Sequence, residues 1–180
     1  MLTLVAGPKL DVILRTAGEL ADVSGAFAEC GVYQGGSLAA LAESNPHRTV
    51  YGFDTFKGLP QEAWAAGEPH GVGDFGDTNL DAVKAAIGHL SNVDLRPGIF
   101  PASAAGLEAE RFALLHLDFD FYESTRAALE WFLPRMSPGG VIVFDDVDWP
   151  HCPGVRRAIE EFGLEIEITA PCQAIHRVQG

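Results

Sequence analysis

Residues 116–125 read HLDFDFYEST and residues 139–146 read GGVIVFDD. Each stretch runs apolar and then ends on acids, Asp118 with Asp120 in the first and Asp145 with Asp146 in the second. Singly, each acid has an ordinary reading: a helix cap, a surface charge, or a core acid satisfied by backbone amides. Asp118, Asp145 and Asp146 together, from neighbouring strand ends, are different, because grouped carboxylates repel strongly unless a cation joins them. Hard oxygen donors in that number suit Mg2+, with Mn2+ or Ca2+ as alternatives. Asp118 and Asp120 lie two apart, so on a strand they point to the same side.

A second set of residues suits a nucleoside cofactor. ECGVYQGGS at 29–37 is a glycine-rich turn, in which Gly31 and Gly35 let backbone approach a ligand closely. Its spacing is not the dinucleotide fingerprint, and no Lys follows in the position that a triphosphate site requires. Asp54 follows the turn by about 20 residues, where an acid accepts hydrogen bonds from a ribose diol. The combination suits a nicotinamide cofactor or S-adenosylmethionine (SAM). The surplus of acids and the missing fingerprint weigh against the nicotinamide oxidoreductase.

Positioning these groups requires strand ends along one edge. Apolar runs at 25–31, 49–54, 93–98, 111–118 and 139–146 read as strands. Helical spacing appears at 9–22, 36–44, 80–90, about 123–135 and 154–163, with Ser37 or Gly36 as the cap of the second helix. Alternation of this kind predicts an α/β fold, a largely parallel sheet with helices on both faces. LEIEI at 164–168 and QAIHRV at 173–178 have no helix between them and predict an antiparallel hairpin at one edge. Ligands bind such sheets outside the carboxyl ends of the strands, which is where Glu29, Asp54, Asp118, Asp145 and Asp146 fall. The segment 57–79, rich in Gly, Pro and Asp, is long for a loop in a compact domain and reads as functional.

A chain of 180 residues with 47% hydrophobic content is expected to form one domain, 1–180. Its formal net charge is −13, with twelve scattered basic residues, which argues against nucleic acid as a partner. No apolar run is long enough to span a bilayer, no secretory signal opens the chain, and Cys30, Cys152 and Cys172 show no pairing pattern. A cytoplasmic protein with reduced thiols is the expectation.

The segments AECGVYQGGSLAAL, YGFDTFKGLP, HLDFDFYEST, PGGVIVFDD and CPGVRRAIEEF, in that order between residues 28 and 162, resemble the macrocin O-methyltransferase (TylF-like) family of SAM-dependent enzymes, which methylate sugar hydroxyls on natural products. The resemblance implies a three-layer class I methyltransferase fold (Rossmann-like), with seven strands in the order 3-2-1-4-5-7-6 and the last strand antiparallel. It implies SAM as cofactor and a divalent metal, usually Mg2+, held by Asp118, Asp145 and Asp146. Asp120 becomes the candidate general base. Glu29 is expected to help hold the methionine end of SAM beside the backbone of Gly31 and Gly35, with Ser37 assisting and Asp54 on the ribose. Tyr33, Gly98 and Asp118 complete the expected cofactor contacts. The acceptor is then a small hydroxylated molecule, a sugar or glycoside, with neither nucleic acid nor membrane as partner. A SAM-binding module without turnover is the non-enzymatic alternative.

About one helix precedes the first strand, less than the lid of typical members. An open site, or one completed by a second copy of the chain, is the expectation. Phe119 stands where the family pattern often has Gly, and either narrows the acceptor pocket or packs on a neighbour. His116 reads as a core histidine, and His151, Trp149, Tyr122 and Cys152 read as packing or loop residues near the site. Asp74 and Asp77 read either as turn residues or as part of a closure over the cofactor.

Overall fold

The computed structural model describes residues 3–5 and 7–179. Seven strands form one sheet: β1 (Ala26–Cys30), β2 (Val50–Asp54), β3 (Val93–Pro97), β4 (Phe112–Leu117), β5 (Met136–Phe144), β6 (Glu167–Ala170) and β7 (Gln173–Arg177). Their order is β3-β2-β1-β4-β5-β7-β6, as the resemblance implies. The first five are parallel, and β7 runs antiparallel between β5 and β6. This is the class I methyltransferase arrangement.

Five helices cover the two faces: α1 (Gly7–Glu19), α2 (Gly36–Ser44), α3 (Leu80–Ile87), α4 (Tyr122–Phe132) and α5 (Pro153–Glu161). The side-chain period decides which face each strand residue serves. Phe27, Leu114 and Val143 pack with Ile13, Leu41 and Ile87 from α1, α2 and α3. Ala28, Leu115 and Phe144 pack with Leu129, Phe132 and Ile159 from α4 and α5. β1 and β4 are buried along their whole length, which is why both read as unbroken apolar runs.

The link from β3 to β4 carries a short 3-10 turn at Ala102–Ala104 rather than an α-helix. Aromatic side chains fill the space a helix would take. Phe100 stacks on Phe132 at 5.4 Å between ring centroids, and Phe112 meets Phe132 edge-on at 4.9 Å. Arg48 locks the end of α1 onto the sheet. Its guanidinium donates to the carbonyls of Leu20, Ala21, Val23 and Gly25 and lies over the Phe27 ring.

Three local expectations change. α1 starts at Gly7 and ends at Glu19, two residues earlier at its start than Lys9. α2 is capped by Gly35, whose φ of 84° is left-handed, so Ser37 sits inside the first turn. β6 runs Glu167–Ala170 instead of 164–168, because Leu164 and Ile166 turn inward and pack on the α4–α5 face of the core.

Candidate active site

The parallel strands end along one edge, and a cavity of about 560 Å³ opens there. Its wall takes Gly31, Tyr33 and Ser37 from the turn after β1, Asp54 from β2 and Gly98 from the end of β3. Across from them stand Asp118 and Asp120 after β4 and Asp145 and Asp146 after β5. Segments flanking the sheet close the rest, among them Thr3–Val5, Lys9, and Gly58–Pro60 with Phe75 from the long loop.

On the glycine-turn side the backbone is built to come close. A Cβ on Gly31 would stand 2.0 Å from the carbonyl oxygen of Asp118, and the residue's φ is 92°. Only glycine lets the end of β1 pass so near the end of β4, where Asp118 N donates to Cys30 O. Asp54 Oδ2 accepts from the amides of Val32 and Tyr33, each at 2.8 Å, and Oδ1 accepts from Phe56 N at 2.7 Å. The Asp54 carboxylate therefore pins the glycine turn to the loop after β2 and keeps its remaining lone pairs on the cavity. Thr78 Oγ1 donates to Tyr33 O, and Tyr33 OH donates to Asp77, which ties the far end of loop 57–79 to the same turn.

Two residues expected against the cofactor do not line the cavity. Gly35 faces α3, with Val83 3.2 Å from where its Cβ would be, so its lack of a side chain serves helix packing. Glu29 is buried in the sheet, and its Oε1 accepts from Nδ1 of His116 on the neighbouring strand at 2.9 Å. Burial disfavours the charged imidazole, but the Glu29 hydrogen bond and charge outweigh it and raise the His116 pKa. Glu29 Oε2 and His116 Nε2 are shut from solvent without hydrogen-bond partners. A ring nitrogen of His116 also lies within 4.8 Å of carboxylate oxygens of Asp118 and Asp145, so the buried pair backs directly onto the acids.

The opposite side is crowded with charge. Oxygens of Asp118, Asp120 and Asp146 lie within 4.8 Å of one another, and Asp118 is as close to Asp145. Burial, then the Asp145 and Asp146 charges, push the Asp118 pKa far up. Asp120 is pushed up to about 7 by burial and by the Asp146 charge. Asp146 rises as well, through burial and Asp145, although Lys9 pulls it down. Lys9 is the cation in this group. Its Nζ bonds Asp145 Oδ1 and stands 3.5 Å from Asp146 Oδ1. Cys152, the cap residue of α5, points its thiol at Asp120 Oδ1 and Asp146 Oδ2, at 3.5 and 3.6 Å. Burial and the two carboxylates push its pKa up, so it is a neutral donor here and no nucleophile.

Backbone strain gathers at the same place. Seven non-glycine residues described have positive φ, and five of them, Tyr33, Phe75, Asp120, Asp146 and Cys172, line the cavity. At Asp120 the strain has a visible form: Phe121 N donates to Phe119 O across it, a three-residue turn with φ 57°. The turn ends the strand geometry after Leu117 yet leaves Asp118 and Asp120 on one cavity. Strain of this kind persists where surrounding contacts over-determine it, typically at working sites.

Other candidates separate clearly. Phe119 and Trp149 line the cavity, the former also against Phe100. Tyr122 points away, its hydroxyl donating to Glu161 and its ring under Arg157. His151 is exposed, near the rings of His70 and Trp149. Asp74 accepts from Gly71 N and pairs with His70, so it closes a loop turn. Lys9 was not among the sequence-derived site residues. Its signal, a lone Lys in the first turn of the helix before the glycine motif, has no meaning until the fold brings α1 to the residues after β5.

The family model and the curated relatives show the family, and the solved structures show the fold. The family model of macrocin O-methyltransferases (TylF) matches residues 8–179. A tetracenomycin-C 4'-O-methyltransferase of Streptomyces olivaceus, acting on the 8-demethyl-8-(2,3-dimethoxy-alpha-L-rhamnosyl) form, is 31% identical over 175 residues, covering 87% of this chain and 65% of the relative. The demethyldecarbamoylnovobiocin O-methyltransferase of Streptomyces niveus is 26% identical over 171 residues, covering 87% of this chain and 64% of the relative. The chain thus spans just under two thirds of the length of these relatives. Among solved structures, the O-methyltransferase NovP superposes with a TM-score of 0.84 at 23% identity, over 99% of this chain and 82% of that one. The calicheamicin methyltransferase CalS11 gives 0.73 at 26% identity, over 96% and 80%.

Proposed function

The chain belongs to the macrocin O-methyltransferase (TylF) family, and from that premise we propose that it transfers the methyl group of SAM to a hydroxyl of a sugar or glycoside natural product, with a divalent metal at the acidic centre. The observation that carries the reading is the convergence on one cavity of a bared glycine turn and, facing it, four aspartates crowded beyond what one Lys neutralises. Relatives that act on rhamnosyl tetracenomycin and demethyldecarbamoylnovobiocin support the acceptor class.

Methyl transfer is an in-line displacement: the methyl carbon's bond to sulfur breaks as its bond to the acceptor oxygen forms, and the hydroxyl proton must leave. The backbone of Gly31 and the Asp54 lone pairs offer the cofactor its contacts, while Tyr33 and Phe75 meet edge to face at 6.2 Å beside it. Asp120 stands beside the other acids on the same cavity and supplies the carboxylate that accepts that proton. Asp118, Asp145 and Asp146 fit a hard divalent ion, since Asp118 is within 4.8 Å of each of the other two. Such an ion, when bound, acidifies and positions the acceptor hydroxyl. Phe119 and Trp149 give the acceptor side flat apolar walls.

The test is a SAM-consumption assay over a panel of glycosides and simple phenols, with Mg2+ and with chelator, alongside binding titrations of SAM and NAD. The expected result is SAM binding without NAD binding, and Mg2+-dependent turnover on at least one glycoside. NAD binding in place of SAM removes the reading, and full turnover in chelator removes its metal half.

A further inference from the structure

We propose that Lys9 is a tethered counter-cation that competes with the divalent ion for Asp145 and Asp146, so that metal binding must displace its ammonium. The inference rests on the metal half of the proposed function and concerns what stands in the ion's way.

Among the described residues that line the cavity, Lys9 is the one Lys or Arg. Its side chain is 16% exposed and that of Asp145 is 4% exposed, so the pair is largely withdrawn from water. Asp145 Oδ1 takes the ammonium and also accepts from Asp146 N at 3.0 Å, which occupies both lone pairs of that oxygen. An ammonium and a divalent ion cannot share that oxygen at bonding distance, because like charges this close repel strongly in a half-dry site. The ammonium is also the weaker partner. It brings one charge to four carboxylates and bonds only Asp145 and Asp146, leaving Asp118 and Asp120 without a bonded Lys or Arg among the described residues. A divalent ion brings twice the charge and needs no hydrogen-bond direction.

The tether is firm. Lys9 lies in the first turns of α1, whose C-terminal end Arg48 holds to the sheet through four carbonyls. The ammonium therefore stays near the acids at a high effective concentration, and the long side chain can still swing out when displaced. Its role is to keep the fold tolerable before the ion arrives, at the expense of metal affinity.

Competition and a mere structural ion pair make different predictions. Mn2+ binding to the full chain is measured by electron paramagnetic resonance and calorimetry for the unaltered protein, Lys9→Met and Lys9→Arg, without SAM or acceptor. Competition predicts that Lys9→Met binds Mn2+ about tenfold more tightly or better, while Lys9→Arg, which keeps the charge, stays within about threefold of the unaltered protein. By the same linkage Mn2+ must expose Lys9. The chain has three lysines, so acylation followed by mass spectrometry reads Lys9 against the exposed Lys57 and Lys84 in one sample. Lys9 is expected to react slowest without metal and to speed up with Mn2+. Equal Mn2+ affinity in all three proteins, or Lys9 reactivity indifferent to Mn2+, overturns the competition while leaving the metal centre standing. Mn2+ uptake by Lys9→Met alone upholds the competition and removes the metal from the native mechanism. No uptake by any of them overturns both.

Discussion

Asp54 and Asp118 are both acids at the carboxyl end of a parallel strand, and both face the same cavity, yet they live in opposite electrostatic worlds. Asp54 receives three backbone amides, from Val32, Tyr33 and Phe56. Asp118 meets Asp145, Asp146 and Asp120, and no hydrogen bond to its carboxylate is present among the described residues. The first carboxylate is part of what holds the turn together. The second is tolerated by the fold and has value only toward something that binds. A strand-end acid is thus structural or reactive according to whether the backbone turns its N–H groups toward it.

The largest effect that would break this contrast is on turnover. Asp118→Asn and Asp146→Asn should each lower methyl transfer about a thousandfold, by removing charge from the centre that handles the acceptor hydroxyl. Both should also raise the melting temperature of the metal-free protein by a few degrees, since each removes a repelled carboxylate. Activity assays and thermal melts in chelator check the pair of outcomes, and a drop in melting temperature for both variants would erase the distinction from Asp54.

Asp54→Ala carries the opposite sign. Three amides lose their acceptor, at about 3 kcal/mol in total for charge-assisted bonds partly replaced by water. For a chain of this size that lowers the melting temperature by about 6–12 °C, with SAM affinity falling as the glycine turn loosens. Melts in the absence of cofactor separate the stability loss from the binding loss.

The pH dependence of stability sharpens the same contrast. Asp118, Asp120 and Asp146 all have folded-state pKa values above their unfolded ones, Asp120 at about 7. The folded protein therefore holds more protons than the unfolded chain between about pH 4 and pH 7, and stability from this group is lost as the pH rises through that window. Lys9, Asp145 and Cys152 face the same carboxylates, and none of them reverses the sign. In chelator the melting temperature should fall from about pH 5 to about pH 7.5 by several degrees more in the native protein than in Asp120→Asn. Mg2+ should flatten the difference.

How much of this was legible in the sequence follows from the range of each interaction. The strand runs, the sheet order and the acids at the strand ends rest on local period and on recurring motifs, and they survive in the structure. Residues whose meaning depends on a neighbour in space were legible only in part. Glu29 reads as a ligand from its place before the glycine turn, but β4 puts His116 opposite it and the pair closes on itself. Gly35 reads as ligand-facing, but α3 lies against it. Lys9 carries no site signal in the sequence, and only the approach of α1 to the residues after β5 turns it into the cation of the acidic centre. The limits of β6 slipped because Leu164 and Ile166 alternate like a strand while packing as a tail to α5.

The smallest effect tests how finely the crowded side is balanced. The Cys152 thiol is buried and points at Asp120 and Asp146, and its hydrogen bond holds the Asp120 pKa lower than the charges alone would set it. A thiol is a weak donor, so exchanging it changes the balance without rebuilding it. Cys152→Ala removes the donor and should move the metal-free stability midpoint, read from the same melts, upward by a fraction of a pH unit. Cys152→Ser supplies a stronger donor and should move it downward by a similar amount. Both substitutions shrink or polarise a buried side chain and lower stability at every pH, so the melting temperature alone cannot separate them. The direction of the midpoint can, because it responds to what faces Asp120 and not to the volume lost. Midpoints that shift together in one direction would mean that the thiol merely fills space beside the acids.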